Sequence, residues 1–202
     1  MKNKLYISLF LVSLIAASLA CNINVGGPDS PAAPITPSPE EAQALHEMIE
    51  QAIVTGAETG VITLTITESQ LTAYITDGLA KQSTPPFTEP QVLLRDGQMK
   101  LYGKISKGMF SANMLITMNV TIDETTGQPK IQIASADFGP IPAPEGLNTA
   151  ISAIIDEAFT GSFAPVAVGF RLQTITIADG LMTLTGRIKE RLDYNRHVPS
   201  TS

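Results

Sequence analysis

The single cysteine of this 202-residue chain stands at a position where covalent modification is expected. Residues 1–20 begin with Lys2 and Lys4, continue as a nearly unbroken apolar run from Leu5, and end directly before Cys21. A basic start, a short apolar core and small residues before the cut describe a secretory signal peptide. The apolar run has 16 residues, and a membrane-spanning helix needs ~20. The first 20 residues therefore predict export from the cytoplasm.

The residues before the cysteine, Ala16-Ala17-Ser18-Leu19-Ala20, resemble the lipobox of bacterial lipoproteins. In that family the cysteine thiol is diacylglycerylated and the cysteine becomes the first residue of the mature protein. The resemblance implies Cys21 as the lipidation site of a protein anchored at the extracytoplasmic face of the cell envelope. An uncleaved membrane helix and a secreted protein with a free thiol are the alternatives, and an unpaired thiol is unusual in an oxidising compartment.

The charge balance limits the class of partner. Residues 1–20 contain two lysines and no acidic residue, so the mature chain keeps 11 basic and 19 acidic residues, a net charge near −8. Nucleic-acid binding needs a basic surface, so no nucleic-acid partner is expected. A negative chain is not attracted to anionic lipid, so contact with the membrane depends on the acyl chains.

The chain lacks the residue patterns of common catalytic and metal sites. Its two histidines, His46 and His197, lie on the first predicted helix and in a polar tail, and there is no Gly-x-Ser-x-Gly motif. A zinc site would need a cluster of Cys or His, and a nucleotide site a glycine-rich phosphate loop. We therefore expect no enzyme activity, no metal and no cofactor.

Composition and capping residues divide the chain into parts. Ser38-Pro39-Glu40-Glu41 predicts a helix start with Ser38 as its N-cap, and Thr67-Glu68-Ser69-Gln70 predicts a second start as a capping box. The predicted parts are the signal peptide at 1–20, a Pro/Gly-rich flexible linker at 21–38, a single α+β domain at 39–189 and a polar tail at 190–202.

Alternating apolar residues predict the strands of the domain. Ile62, Leu64 and Ile66 alternate with threonines, as in a half-buried strand. The longest alternation covers 13 residues, Phe110 to Ile122, and such a length predicts a long, curved antiparallel sheet. A third helix is predicted from Glu145 to Phe159.

Two similar hairpins suggest an internal repeat. Asp96 to Ile105 reads DGQMKLYGKI, Asp179 to Ile188 reads DGLMTLTGRI, and six of the ten positions are identical. Asp-Gly between apolar runs is a strong hairpin signal, so one alternative is that any two such hairpins look alike. Because a strand, a helix and a loop precede each copy, we predict a duplicated strand–helix–hairpin unit. The predicted fold class is α+β: a long curved antiparallel sheet packed on two or three helices, with both hairpins in equivalent places.

Several of these motifs together resemble a family of small extracytoplasmic lipid-binding proteins. They are the strand-to-helix entry at 65–71, the two Asp-Gly hairpins, the long strand, and Gly139-Pro140-Ile141-Pro142 before a helix. They are similar to the LmeA-like and YpmS-like group, which is related in fold to tubular lipid-binding domains. The resemblance covers residues 60–189 and implies an elongated sheet wrapped on helices around an apolar groove for an acyl chain.

The groove implied by this resemblance would lie between the long strand and the helices. The candidate lining residues are Phe110, Met114, Ile116, Met118, Leu71, Ile75, Ile151 and Ile155. Methionine suits a cavity that adapts to acyl chains, and ordinary core filling is the alternative.

Two functions follow from the sequence. The first is a lipid-anchored protein that binds or carries lipid in an apolar groove. The second is an envelope protein–protein interaction module with a dry core, no ligand and an unidentified partner. A cavity of several hundred Å³ lined by the inward strand residues would favour the first, and a tightly packed core would favour the second.

Overall fold

The computed structural model describes residues 23–125, 127, 129–147, 149, 151, 153 and 170–188. The predicted signal peptide, Cys21, the polar tail with His197, and most of the third predicted helix lie outside these residues. Leu147, Thr149, Ile151 and Ala153 of that third segment are helical. The described residues otherwise form two helices and eight strands: β1 (Ile23–Asn24), α1 (Pro39–Thr59), β2 (Val61–Thr67), α2 (Glu68–Ala80), β3 (Thr88–Arg95), β4 (Gln98–Lys107), β5 (Phe110–Ile122), β6 (Pro129–Asp137), β7 (Phe170–Ala178) and β8 (Leu181–Ile188).

Both helices begin at their predicted N-cap residues. Ser38 Oγ accepts a hydrogen bond from the Glu41 N–H at 3.2 Å, and Pro39 occupies the first position of α1. In α2, the Gln70 N–H donates to Thr67 Oγ1 at 3.1 Å and the Thr67 N–H donates to Gln70 Oε1 at 3.0 Å. These two bonds are the reciprocal pair of a capping box. The N-cap at Ser38 and the capping box at Thr67 and Gln70 are confirmed.

The strands form two sheets. The larger sheet has the order β1-β5-β4-β3, with β6 also paired to β5, and the smaller sheet has the order β2-β8-β7. The β1–β5 pairing is parallel and the other pairings are antiparallel. The larger sheet is curled into a half-barrel with the helices packed on it, so the predicted α+β fold with a long curved sheet is confirmed.

Residues 23–38, predicted as part of a flexible linker, lie against the larger sheet. The Ile23 N–H donates to the Met109 carbonyl oxygen at 2.8 Å, and the Asn113 N–H donates to the Gly26 carbonyl oxygen at 2.9 Å. These bonds occupy an edge of β5 that would otherwise expose unpaired backbone groups. Residues 23–28, at the start of the predicted linker, are therefore part of the paired edge of the sheet. The prediction rested on the small number of apolar side chains, and backbone pairing does not require them.

The two Asp-Gly hairpins close with the same type of turn. The φ angles are 56° and 74° at Asp96 and Gly97, and 52° and 80° at Asp179 and Gly180. Positive φ at both central residues defines a type I′ turn, whose twist matches that of the strands. The β3–β4 hairpin belongs to the larger sheet and the β7–β8 hairpin to the smaller one. The hairpins are thus alike, but they occupy two sheets rather than one repeated sheet.

Helix α2 covers the outer edge of β3. Thr72 Oγ1 accepts a hydrogen bond from the Val92 N–H at 3.0 Å, and Glu68 Oε1 accepts one from the Leu94 N–H at 2.7 Å. Residues four apart on a helix share one face, and residues two apart on a strand share one edge, so both bonds form together. They hold α2 over the sheet. The core beneath it is one hydrophobic cluster that draws on both sheets and both helices and includes Leu45, Leu64, Leu79, Leu101, Met114 and Leu184.

Candidate functional site

The central candidates of the predicted groove lie on the inner face of β5. Met114, Ile116 and Met118 have exposed fractions of 0%, 1% and 1%. Ile116 pairs with Leu101 of β4, and Met118 pairs with Met99. All five belong to the same hydrophobic cluster. The structure therefore brings the strand candidates together, as members of the core.

The prediction that Phe110 faces inward is wrong. Its side chain is 45% exposed, whereas Ala112, two residues further along the same face of β5, is fully buried. Phe110 is the first residue of β5 and directly follows the Gly108-Met109 turn from β4. Ala112 is the first residue of β5 that belongs to the hydrophobic cluster. The alternation of apolar residues therefore starts at Phe110, two residues before the part of β5 that the cluster buries.

The helix candidates surround the same core. Leu71 and Ile75 of α2 are partly buried and pack against the cluster, and Ile151 is buried within it. Ile155 lies outside the described residues. The face of α2 that is most deeply buried includes Thr72 and Ala73, which sequence reasoning did not select. The reason is that β3 approaches α2 through the hydrogen bond to Thr72, and that contact joins residues distant in sequence.

The clefts bordered by described residues include the following three. The first, which we call the helix cleft, has a volume of ≈ 580 Å³ and lies between α1, α2 and residues 145–153. Its lining residues are His46, Tyr74, Asp77, Gly78, Lys81, Gln82, Thr84, Pro86, Glu145, Gly146, Thr149 and Ala153. The second, of ≈ 590 Å³, lies between the start of α1 and α2. The third, of ≈ 830 Å³, lies between the far end of β5 and β7. The described groove candidates line none of these three clefts.

The helix cleft combines an aromatic wall with polar groups. The rings of His46 and Tyr74 are 5.8 Å apart and tilted by 44°. His46 Nδ1 lies 2.9 Å from the Ala42 carbonyl oxygen, which can only accept a hydrogen bond, so this nitrogen carries the proton. At the rim, Lys81 Nζ lies 2.8 Å from Asp77 Oδ2. The cleft can hold a partly apolar group against the rings, with polar contacts at its edge.

No group of three or more His, Cys, Asp or Glu side chains among the described residues is placed to hold a metal ion. The pKa of the Glu40 carboxyl is lowered, first by hydrogen bonding from its own backbone N–H and then by the Ser38 hydroxyl. This is the effect of a helix start on an exposed acid. Neither described helix is long and apolar enough to cross a bilayer.

Sequence reasoning missed an apolar patch at the end of the β4–β5 hairpin. Ile23, Met109 and Phe110 are 48%, 51% and 45% exposed. Ile23 pairs with Phe110, and its N–H donates to the Met109 carbonyl oxygen, so the three residues are neighbours. We call them the hairpin-tip patch. The available signal was Met109-Phe110 directly after Lys107-Gly108, two large apolar residues that follow a glycine.

Comparison of the chain with protein-family models and with curated proteins finds no match. The motifs behind the resemblance to small extracytoplasmic lipid-binding proteins are turns, caps and one long strand, and the described structure contains them. Such features specify a fold rather than a binding site. Relationship to that family therefore stays a prediction.

Proposed function

We propose that this protein is a lipid-anchored interaction module of the bacterial cell envelope, with no enzyme activity and no ligand in its core. One observation carries the proposal: Met114, Ile116 and Met118, which would have to line an acyl-chain groove, are at most 1% exposed within one hydrophobic cluster. The residues before Cys21 support the anchor. Because the core is packed, a binding partner would contact the surface of the domain.

The packing next to β5 leaves no free space for one additional methyl group. A Cβ placed on Gly103 would lie 2.8 Å from Phe87 Cδ2 and 3.0 Å from Met114 Cε. Phe87 and Met114 are themselves almost completely buried. Interiors packed to this density have few voids larger than a water molecule. This supports a filled core beside the strand that was expected to face lipid.

Replacing Met114 with a larger side chain tests the packed core. Met114→Trp should lower the free energy of unfolding by about 1–3 kcal/mol because the extra volume has no space to occupy. Met109→Trp is the matched control, since Met109 is exposed on the same hairpin and should tolerate the ring. Urea unfolding of both variants gives the comparison. A Met114→Trp protein as stable as its parent would indicate a groove.

Native mass spectrometry tests for a ligand directly. The mature protein should carry its covalent lipid and no further lipid once detergent is removed in the gas phase. A second, non-covalent lipid that is lost in Met114→Trp would contradict the packed core and restore the groove.

The anchor has its own test. Cys21→Ser removes the thiol that a diacylglyceryl group would occupy, so the acyl-labelled band should disappear and the protein should leave the membrane fraction. Unchanged partition, together with no acyl label on the parent, would contradict the anchor.

Lipid binding at a different place is the second candidate, and the helix cleft favours it. Its volume of ≈ 580 Å³ falls within the ~300–1,000 Å³ usual for small-molecule sites. Tyr74 and Pro86 supply apolar lining, and Ala153 lies exposed in its wall. Ala153→Trp should fill this cleft and displace bound lipid while Met114→Trp leaves that lipid in place. The reverse result would exclude the helix cleft as the lipid site.

A further inference from the structure

The hairpin-tip patch lies on a tight and well-defined turn. Lys107 pairs with Phe110, which leaves Gly108 and Met109 as a two-residue loop between β4 and β5. Gly108 has a φ of 63° at the first central position, as type II′ hairpin turns require. Met109 therefore occupies the outermost part of the hairpin, with its side chain in solvent.

Exposed large apolar side chains are concentrated at the hairpin-tip patch. Seven such residues are exposed in the described part of the chain, and Ile23, Met109 and Phe110 are three of them. Single exposed apolar residues need no explanation, but neighbouring ones mark sites of contact with a membrane or another protein. The exposed Lys107 borders the patch, because it pairs with Phe110.

The covalent chain indicates what covers the patch. Cys21 precedes Ile23 by two residues, so its Cα lies within about 7 Å of the Ile23 Cα. β1 is held in place, since the Ile23 N–H donates to the Met109 carbonyl oxygen at 2.8 Å and the Asn113 N–H donates to the Gly26 carbonyl oxygen at 2.9 Å. An acyl group on Cys21 would therefore leave the domain beside the patch.

We propose that the hairpin-tip patch is a membrane-contact face, and that it enters the interfacial layer of the same bilayer that holds the Cys21 acyl chains. The inference rests on the anchor proposed above. Met109 and Phe110 would transfer apolar surface from water into the boundary between headgroups and acyl chains. Apolar protein faces are buried there to a depth of about 5–10 Å. Lys107 would keep its ammonium at the headgroup phosphates while its methylenes follow the apolar side chains.

This contact determines the orientation of the domain. β5 runs from the patch at Phe110 to Ile122, which is about 40 Å along the strand. The cleft between β5 and β7 borders Ile122 and Asp123, so it would lie on the side away from the bilayer. A partner in the envelope would meet that end, and the anchored end would stay at the lipid.

A single introduced thiol can measure the contact. In the lipidated full chain the only native cysteine is consumed by its thioether, so Met109→Cys carries the sole free thiol. Gln132→Cys is the matched control, because Gln132 is exposed and pairs with Asn119, about 30 Å along β5 from Phe110. Each variant is labelled with an environment-sensitive fluorophore in vesicles of phosphatidylethanolamine and phosphatidylglycerol. A phospholipid with a nitroxide on its acyl chain serves as quencher.

The proposal expects the label at position 109 to lose most of its fluorescence, and the label at position 132 to keep nearly all of it. Phe110→Cys should repeat the loss seen at position 109. If the labels at both positions are quenched equally in acylated protein, the proposal of a membrane-contact face is wrong, whereas the anchor is unaffected. This result is expected if another protein covers the patch. A protein whose Cys21 itself takes the label is not acylated, and that result overturns the anchor and this inference together.

Discussion

The β3–β4 and β7–β8 hairpins share their turn, a bulge and a glycine beside that bulge, but they differ in what surrounds them. The register shifts between Thr88 and Gln91 in β3, and between Leu172 and Thr174 in β7. A Cβ on Gly103 would lie 2.8 Å from Phe87 Cδ2, and one on Gly186 would lie 2.7 Å from the Arg171 carbonyl oxygen. At Gly186 the backbone of the partner strand leaves no room for a side chain, and at Gly103 the Phe87 and Met114 side chains fill the space, so glycine fits best at both positions.

Each hairpin pairs with a third strand that belongs to the other predicted unit. β4 pairs with β5, which follows it, and β8 pairs with β2, which lies far upstream. The registers correspond, since Leu101 pairs with Ile116 and Leu184 pairs with Leu64. The two hairpins are thus completed in the same way, each by a strand from the other predicted unit. The two sheets meet where the Gly180 N–H donates to the Leu94 carbonyl oxygen at 3.1 Å.

The differences lie on the outer faces and edges. The larger sheet gains β1 and β6 along β5, whereas the smaller sheet consists of three strands. Lys104 pairs with Glu89 at 2.9 Å in the first hairpin, and Thr174 and Thr185 hydroxyls are in contact at 2.5 Å in the second. The comparison shows that the repeat preserves the residues of the turn, the glycine beside the bulge and the apolar residues of the inner face, because these determine the backbone and the core.

The largest expected effect tests whether the two inner faces are equivalent. Leu101 and Leu184 are each 2% exposed, and each lies on a strand that is paired on both sides. Leu101→Ala and Leu184→Ala should each lower the free energy of unfolding by about 2–5 kcal/mol, through lost burial and a cavity. Urea unfolding measures both. If the two losses in unfolding free energy differ by several-fold, the two inner faces are not equivalent. Thr183→Ala on the second hairpin is the control, and it should have only a small effect.

The two glycines beside the bulges should respond unequally to an added methyl group. At Gly186 the obstacle is the Arg171 backbone, whereas at Gly103 it is the side chains of Phe87 and Met114. Side chains can move and a paired backbone cannot, so Gly186→Ala should cost more than Gly103→Ala, within about 1–3 kcal/mol for each. Thermal unfolding of the two variants measures the order. The opposite order would mean that the core around Met114 is the more rigid.

The turn glycines should give a smaller effect that is nearly the same in both hairpins. Alanine at Gly97 or Gly180 must adopt a left-handed conformation, which costs roughly 1–2 kcal/mol. A Cβ at Gly97 meets no atom within 4 Å, while one at Gly180 would lie 3.2 Å from Arg95 Nη1. Gly180→Ala should therefore be slightly the worse. A clear penalty at Gly97 alone would show that the second turn relaxes away from the type I′ conformation.

The smallest effect concerns the ion pair between Glu68 and Arg95, a residue of the first hairpin. Glu68 pairs with Arg95 and also accepts the Leu94 N–H, and the second hairpin has Ala178 at the position that corresponds to Arg95. Glu68→Gln keeps an acceptor but removes the charge, so the loss should be at most about 1 kcal/mol and should shrink in high salt. Asp77→Asn, which breaks the exposed i,i+4 pair with Lys81, is the control. A loss independent of salt would assign the effect to the hydrogen bond.

Local signals account for what could be predicted. Ser38 and Thr67 cap the helices because their side chains reach backbone N–H groups within three residues. The Asp-Gly turns need no distant contact either. The exposure of Phe110 and the pairing of residues 23–28 have no such local signal, because they depend on where the sheet ends and which edge of it remains unpaired. Met114, Ile116 and Met118 share the buried face of β5, but a pattern of apolar residues is the same for a cavity wall and for a packed core.

By itself the sequence determined the α+β class, the two helix starts, the hairpin turns and the alternation along β5, since all of these depend on side chains and backbone within a few residues of each other. Tertiary structure alone decided that each hairpin takes its third strand from the other unit, that Thr72 and Glu68 cover the edge of β3, and that Met114 meets Phe87 across Gly103. The physical reason is that burial and edge pairing belong to surfaces brought together from distant parts of the chain. For the same reason, the exposed Met109 and Phe110 became visible as a patch only when β1 placed Ile23 beside them.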